Sequence, residues 1–158
     1  MTCKRSWLLI ALFCFLLTAC SLPRIYILKD PLTPDEHINL GVAYERRGEL
    51  DEAVKQYGLA AKKTPRAFLY LGNAYFQKGE WKKAEENYRL AIRKIPGEAD
   101  AYNNLAWLYF TRNEKLGEAE ELARKAMALN PGKEAEYRDT LENILERRKQ
   151  PGKEPGEK

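Results

Sequence analysis

The sequence predicts an all-α chain: three helix pairs stacked as a solenoid and closed by a seventh helix. Two sequence blocks and one stripe carry this reading. A Leu-small-x-x-Tyr block occurs at Leu40, Gly41 and Tyr44, at Leu71, Gly72 and Tyr75, and at Leu105, Ala106 and Tyr109. A second block follows each time, at Ala53, Tyr57, Ala60 and Pro65, at Ala84, Tyr88, Ala91 and Pro96, and at Ala119, Ala123, Ala126 and Pro131. Beyond the last copy, Tyr137, Leu141, Ile144 and Leu145 share one stripe of a helix. Self-similarity of this kind is the mark of stacked repeats, each of which buries its apolar face only against a neighbour.

The elements follow in chain order. Residues 1–19 form a leader, with Lys4 and Arg5 ahead of the uncharged run "WLLIALFCFLL" over residues 7–17. Eleven residues suit the apolar core of a signal peptide. They fall short of the ~20 that cross a bilayer. All three cysteines, Cys3, Cys14 and Cys20, lie in the first twenty residues. Residues 20–32 then form a linker that reaches ~40 Å when extended. Its Ile25, Tyr26, Ile27 and Leu28 are apolar for a tether, and either docking on the first repeat or lying at a membrane surface suits them.

The repeat domain runs over 33–149, with repeats at about 34–64, 65–98 and 99–132 and a cap at 133–149. In each repeat the Leu and Tyr of the first block share one helix face, and the small residue between them lets the second helix come close. Ala53, Ala84 and Ala119 keep the second helix thin at the crossing, and the prolines mark helix boundaries. Leu40 and Leu71 are 31 positions apart, whereas Leu71 and Leu105 are 34 apart. The shortening places Pro65 at the first position of the next helix. The third copy carries one extra residue in its inner turn, near Asn113. Residues 133–149 form an amphipathic capping helix, and the Pro-, Gly- and charge-rich tail at 150–158 is expected to be disordered.

Two resemblances follow from these residues. Leu17-Thr18-Ala19-Cys20 resembles the lipobox of bacterial lipoproteins. That implies cleavage before Cys20, a lipid on its thiol and anchorage to a membrane. Ser21, rather than Asp, after the cysteine points to the outer membrane, with the protein facing the periplasm. The two repeated blocks resemble the tetratricopeptide repeat, over about two-thirds of the mature chain. That implies a right-handed superhelical solenoid whose first helices line a concave groove for peptides or partner segments. The third copy departs from the pattern with Ala123 where an aromatic is usual.

The resemblance carries groove positions over residue by residue. They are Asp35, Ile38, Asn39, Val42 and Arg46 in the first repeat, Arg66, Leu69, Tyr70, Asn73 and Gln77 in the second, and Asp100, Asn103, Asn104, Trp107 and Thr111 in the third. Phe76 and Phe110 stand at the rim, equally suited to packing between helices. The strongest binding candidates are Asn39, Tyr70, Asn73, Asn104, Trp107 and Phe110. An Asn amide both donates and accepts, so it suits an extended backbone, and Tyr and Trp are common interface anchors. Ile38, Val42 and Asn104 stand where a clamp for a C-terminal carboxylate would place its polar and basic residues, which argues against that ligand.

Composition excludes other classes. Without Lys4 and Arg5 the chain holds 25 basic and 23 acidic residues. That balance gives no footprint for nucleic acid. The only histidine is His37, at a helix-packing position, and outside the leader region there is no cysteine pair for zinc and no phosphate-binding glycine loop. Glu49, Asp51 and Glu52 suit a helix start, and Glu118, Glu120 and Glu121 suit a solvated face. No catalytic residues, metal or cofactor are expected. Two functions stay open: a membrane-anchored scaffold or adaptor that recruits an envelope protein and assists assembly of an envelope machine, and a self-associating lipoprotein whose groove a neighbouring copy fills.

Overall fold

The computed structural model describes residues 30–149. The leader, Cys20, the linker residues 20–29 and the tail at 150–158 lie outside them. The described residues form seven α-helices: α1 Pro34–Arg46, α2 Leu50–Ala61, α3 Ala67–Gln77, α4 Trp81–Lys94, α5 Ala99–Thr111, α6 Leu116–Leu129 and α7 Glu134–Lys149. A short 3-10 turn, Pro131–Lys133, precedes α7.

Local chemistry sets the start of α1. Thr33 caps it, accepting from the Glu36 amide at 3.2 Å while the Glu36 carboxylate takes the Thr33 amide at 2.7 Å. Pro34 occupies the first turn, where its missing N–H costs nothing. The first two inner turns pass through glycines with positive φ, Gly48 at 76° and Gly79 at 71°. In the third repeat Asn113 takes the same register position at 52°, and the extra residue, Lys115, is also left-handed at 48°. Glycine enters this region without the steric cost other side chains meet.

The shortened junction between the first two repeats resolves differently from the expectation for Pro65. The helix begins two residues later, at Ala67, after a turn in which the Ala67 amide donates to Thr64 O at 3.3 Å. Relative to the repeat register, α2 ends two residues early and α3 starts two residues late, while the turn is one residue longer than its counterpart before α5. Pro65 still suits this place, because a turn does not need its N–H.

Helices of a pair pack against each other, and each second helix packs on the next first helix. The odd-numbered helices also touch in sequence, α1 on α3, α3 on α5 and α5 on α7, whereas the even-numbered ones do not. The row is therefore tight on the odd side and splayed on the even side. A row of this kind is a superhelical solenoid with α1, α3, α5 and α7 on its concave face.

The pair crossings are dense. A methyl group on Gly41 would sit 2.3 Å from Tyr57 Cε1, and one on Gly72 would sit 2.4 Å from Tyr88 Cδ1. Tyr57 is fully buried and Tyr88 nearly so. In the third repeat the corresponding residues are Ala106 and Ala123, both fully buried. His37 is a packing residue as expected: it is buried, with Nδ1 2.9 Å from Gln56 Oε1.

The cap behaves as its stripe predicts. Tyr137, Leu141 and Ile144 are buried against the third repeat, and Leu145 is partly buried there. The Tyr137 hydroxyl donates to Asp100 at 2.7 Å, and Lys133 pairs with the same carboxylate at 2.9 Å. Arg147 is also buried, its guanidinium 4.9 Å from the centre of the Phe110 ring. Among the described residues no helix is long and apolar enough to cross a membrane.

Candidate functional site

The concave face carries two adjoining depressions. The outer one, of about 310 Å³, is lined by Val42, Glu45 and Arg46 of α1 and Tyr70, Asn73 and Gln77 of α3. The inner one, of about 320 Å³, shares Glu45, Asn73 and Gln77 and adds Phe76, Tyr88, Asn104 and Trp107. Every lining residue except Tyr88 comes from a first helix. Helical spacing explains the set: positions four apart on α1 and α3 recur on one face, as with Val42 and Arg46 or Asn73 and Gln77.

Four of the six strongest sequence candidates, Tyr70, Asn73, Asn104 and Trp107, meet here. Trp107 is 38% exposed, a large apolar side chain left open to solvent. Its ring rests on Phe110 at 5.0 Å. Tyr70 is half-buried against Tyr57, with ring centres 5.4 Å apart, and accepts a hydrogen bond from Arg66 at 3.3 Å.

Other candidates fall elsewhere. Asn39 is exposed on α1 but lines neither depression. Phe110 is corrected from rim to interior: it is 9% exposed, sandwiched between Trp107 and Arg147 of the cap. Ile38 and Leu69 are buried as well, not groove-facing. A first helix packs on its own partner and on the next first helix together, so its buried arc is wider than that of a helix in a simple pair. Asp100 is taken by Lys133 and Tyr137 of the cap.

The floor is a hydrogen-bonded layer. Asn73 Oδ1 accepts from the Tyr88 hydroxyl at 3.0 Å and from Asn104 Nδ2 at 2.9 Å. That leaves the Asn73 amide NH₂ as the group offered to a ligand. Glu45 Oε2 accepts from the Tyr57 hydroxyl at 2.6 Å, and Gln77 Nε2 donates to the other carboxylate oxygen. Burial pushes the Tyr57 hydroxyl pKa well up, and the bond to Glu45 adds to it. Burial and then the Glu45 charge push Tyr88 up in the same way. Both hydroxyls are therefore fixed donors. Glu45 and Tyr88 escaped the sequence reading as groove residues. The available signal was a break in register: the residue after the block tyrosine is Phe76 and Phe110 in two repeats but Glu45 in the first.

Where α4, α5 and the start of α6 meet, Glu85, Arg89, Tyr109, Lys115 and Glu118 form an ionic cluster between the second and third repeats. Lys115 reaches Glu85 at 2.8 Å and Arg89 reaches Glu118 at 2.8 Å. Burial raises the Glu85 pKa, but hydrogen bonds from Lys115, Tyr109 and Arg89 outweigh it and hold the group at about 2. Among the described residues no group of three His, Cys, Asp or Glu side chains gathers as a metal site.

A row of helix pairs with a polar and aromatic concave face defines a helical-repeat protein, and comparison with known proteins supplies the family. A TPR-repeat model matches residues 72–112, and two tetratricopeptide-repeat models match residues 99–130 and 24–68. The chain is a tetratricopeptide-repeat protein. No curated protein sequence matches it. Among solved structures, the first TPR of Spaghetti (RPAP3) bound to the HSP90 peptide SRMEEVD superposes with a TM-score of 0.69 at 23% identity, over 78% of this chain and 99% of that one. The pHsp70 complex of the yeast Sti1 TPR2B domain gives 0.68 at 18% identity, over 72% and 97%. PcrH from Pseudomonas aeruginosa gives 0.67 at 20%, over 77% and 99%. At these identities the likeness is one of fold.

Proposed function

We propose that this chain is a membrane-anchored adaptor of the cell envelope whose concave groove takes an extended segment of a partner protein. The observation that carries the reading is the exposed Trp107 beside Tyr70, Asn73 and Asn104 on one concave surface. Aromatic anchors ringed by amides bind a backbone while tolerating varied side chains. The solved structures of similar fold that hold an HSP90 peptide and pHsp70 support a protein ligand. The lipobox-like Leu17-Thr18-Ala19-Cys20 supports anchorage through acyl chains on Cys20, at an outer membrane and facing the periplasm. Two or more chains hold a protein stably to a bilayer.

The test of the groove is Trp107→Ala combined with Tyr70→Ala, used as bait in capture from envelope extract. Loss of one interface anchor costs ~2 kcal/mol, or ~30-fold in affinity. A double variant that melts normally and captures the same partners as wild type refutes the groove. Asn73 is a poorer target, because its loss strips the Tyr88 hydroxyl of its acceptor. Sizing of the purified chain separates this reading from self-association, which requires a stable dimer that blocks capture. For the anchor, Cys20→Ala abolishes palmitate labelling, and continued labelling refutes it.

A further inference from the structure

Repeat register sets Glu45 apart. It occupies the position of Phe76 and Phe110, directly after the block tyrosine, so the first repeat places a carboxylate where the others place a ring. That carboxylate is half-buried and held by two neutral donors, the Tyr57 hydroxyl and the Gln77 amide. Among the described residues no cation pairs with it: Arg47 turns instead to Glu49 at 2.8 Å, and Arg46, on the outer depression, has no carboxylate partner there. Neutral hydrogen bonds offset part of the cost of desolvating a charge, but they leave the charge itself uncompensated.

Among the described residues that line the inner depression, Glu45 is the sole charged one. Around it stand the amides of Asn73, Gln77 and Asn104 and the rings of Phe76, Tyr88 and Trp107. A carboxylate beside aromatic rings in a partly desolvated hollow suits a cation, which gains both a charge-assisted hydrogen bond and attraction to ring faces. An acidic segment there meets repulsion instead. We propose that the inner depression is a cation subsite, so that the groove selects a partner segment carrying a lysine or arginine whose charged end pairs with Glu45. The inference rests on the groove reading above and names the chemistry of its partner.

The test is selection of a phage-displayed random decapeptide library on the full chain. Peptides recovered on wild type and lost on Trp107→Ala define groove binders. These peptides carry a recurrent Lys or Arg. Synthetic copies bind about tenfold more weakly to Glu45→Gln, which keeps an acceptor for Tyr57, and binding falls as salt rises. Replacing the recurrent Lys of the peptide with norleucine reproduces that loss on wild-type protein, which keeps the test independent of how any variant folds. Glu45→Lys reverses the preference towards Asp and Glu. Groove binders without a basic preference, or equal affinity for wild type and Glu45→Gln, overturn the cation subsite and leave the groove standing. A library that yields no Trp107-dependent peptide overturns both.

Discussion

The first two repeats and the third solve one packing problem in opposite ways. In the first two, a glycine on the first helix accepts a tyrosine ring from the second, Gly41 with Tyr57 and Gly72 with Tyr88. In the third, two small residues meet at the same register, Ala106 and Ala123, and the volume comes from elsewhere. Leu105, Leu108, Tyr109 and the capping residues Leu141 and Ile144 fill the third core instead. The crossing thus tolerates either a large–minimal or a small–small pair. What the repeats share is the register of the crossing, not the residues that fill it, and close packing is reached by different side chains.

The difference is open to breaking. The largest effect belongs to Tyr88→Ala, because Gly72 offers nothing to fill the hole. Removing a buried aromatic costs ~3–5 kcal/mol, and a denaturant melt reads it directly. A loss under ~1 kcal/mol shows that the ring is not structural. Next comes Gly72→Ala. Its methyl group would stand 2.4 Å from the Tyr88 ring. Overpacking costs ~1–3 kcal/mol against ~1 kcal/mol gained in helix propensity, so the net change is destabilising. The mirror change, Ala106→Gly, relieves no clash and loses ~1 kcal/mol of propensity together with ~1 kcal/mol for a buried methyl group. Combining it with Ala123→Tyr converts the third crossing to the form of the other two and melts higher than Ala123→Tyr alone.

Acid titration tests the inserted residue. Glu85 sits at about 2 in the folded chain against an ordinary 4.5. The depressed group stabilises the fold above pH ~4.5, and that contribution drains away as pH falls through about 2. Lys115→Met removes one of its donors, lowers stability at neutral pH and narrows the window by moving its acid end upward. Unchanged acid melts exclude Lys115 from the cluster. The smallest effect is Asn113→Gly, which relieves a left-handed φ of 52° and raises stability by ~0.5 kcal/mol, net of added chain entropy.

Legibility followed from how local each constraint is. The repeat blocks, the crossing pairs and the cap stripe were plain, since spacing on one helix settles which residues share a face. Groove membership was legible for Tyr70, Asn73, Asn104 and Trp107, which sit opposite those faces. It was not legible for Ile38 and Leu69, because their burial depends on the neighbouring repeat. Phe110 went the same way: Arg147, thirty-seven residues on, covers it. The start of α3 was missed because a short junction has several ways to absorb three residues, and a proline suits more than one.

The capping helix bears on how such a chain changes in length. Its inner stripe meets α5 and α6, while Arg138, Asp139, Glu142, Asn143 and Glu146 on its other side are exposed. A further helix pair placed after α7 would have to desolvate those charges and amides. A pair inserted between the third repeat and the cap would instead meet the apolar faces that α7 now covers. At this end duplication can therefore lengthen the solenoid only from within, copying a repeat and carrying the same terminator outward.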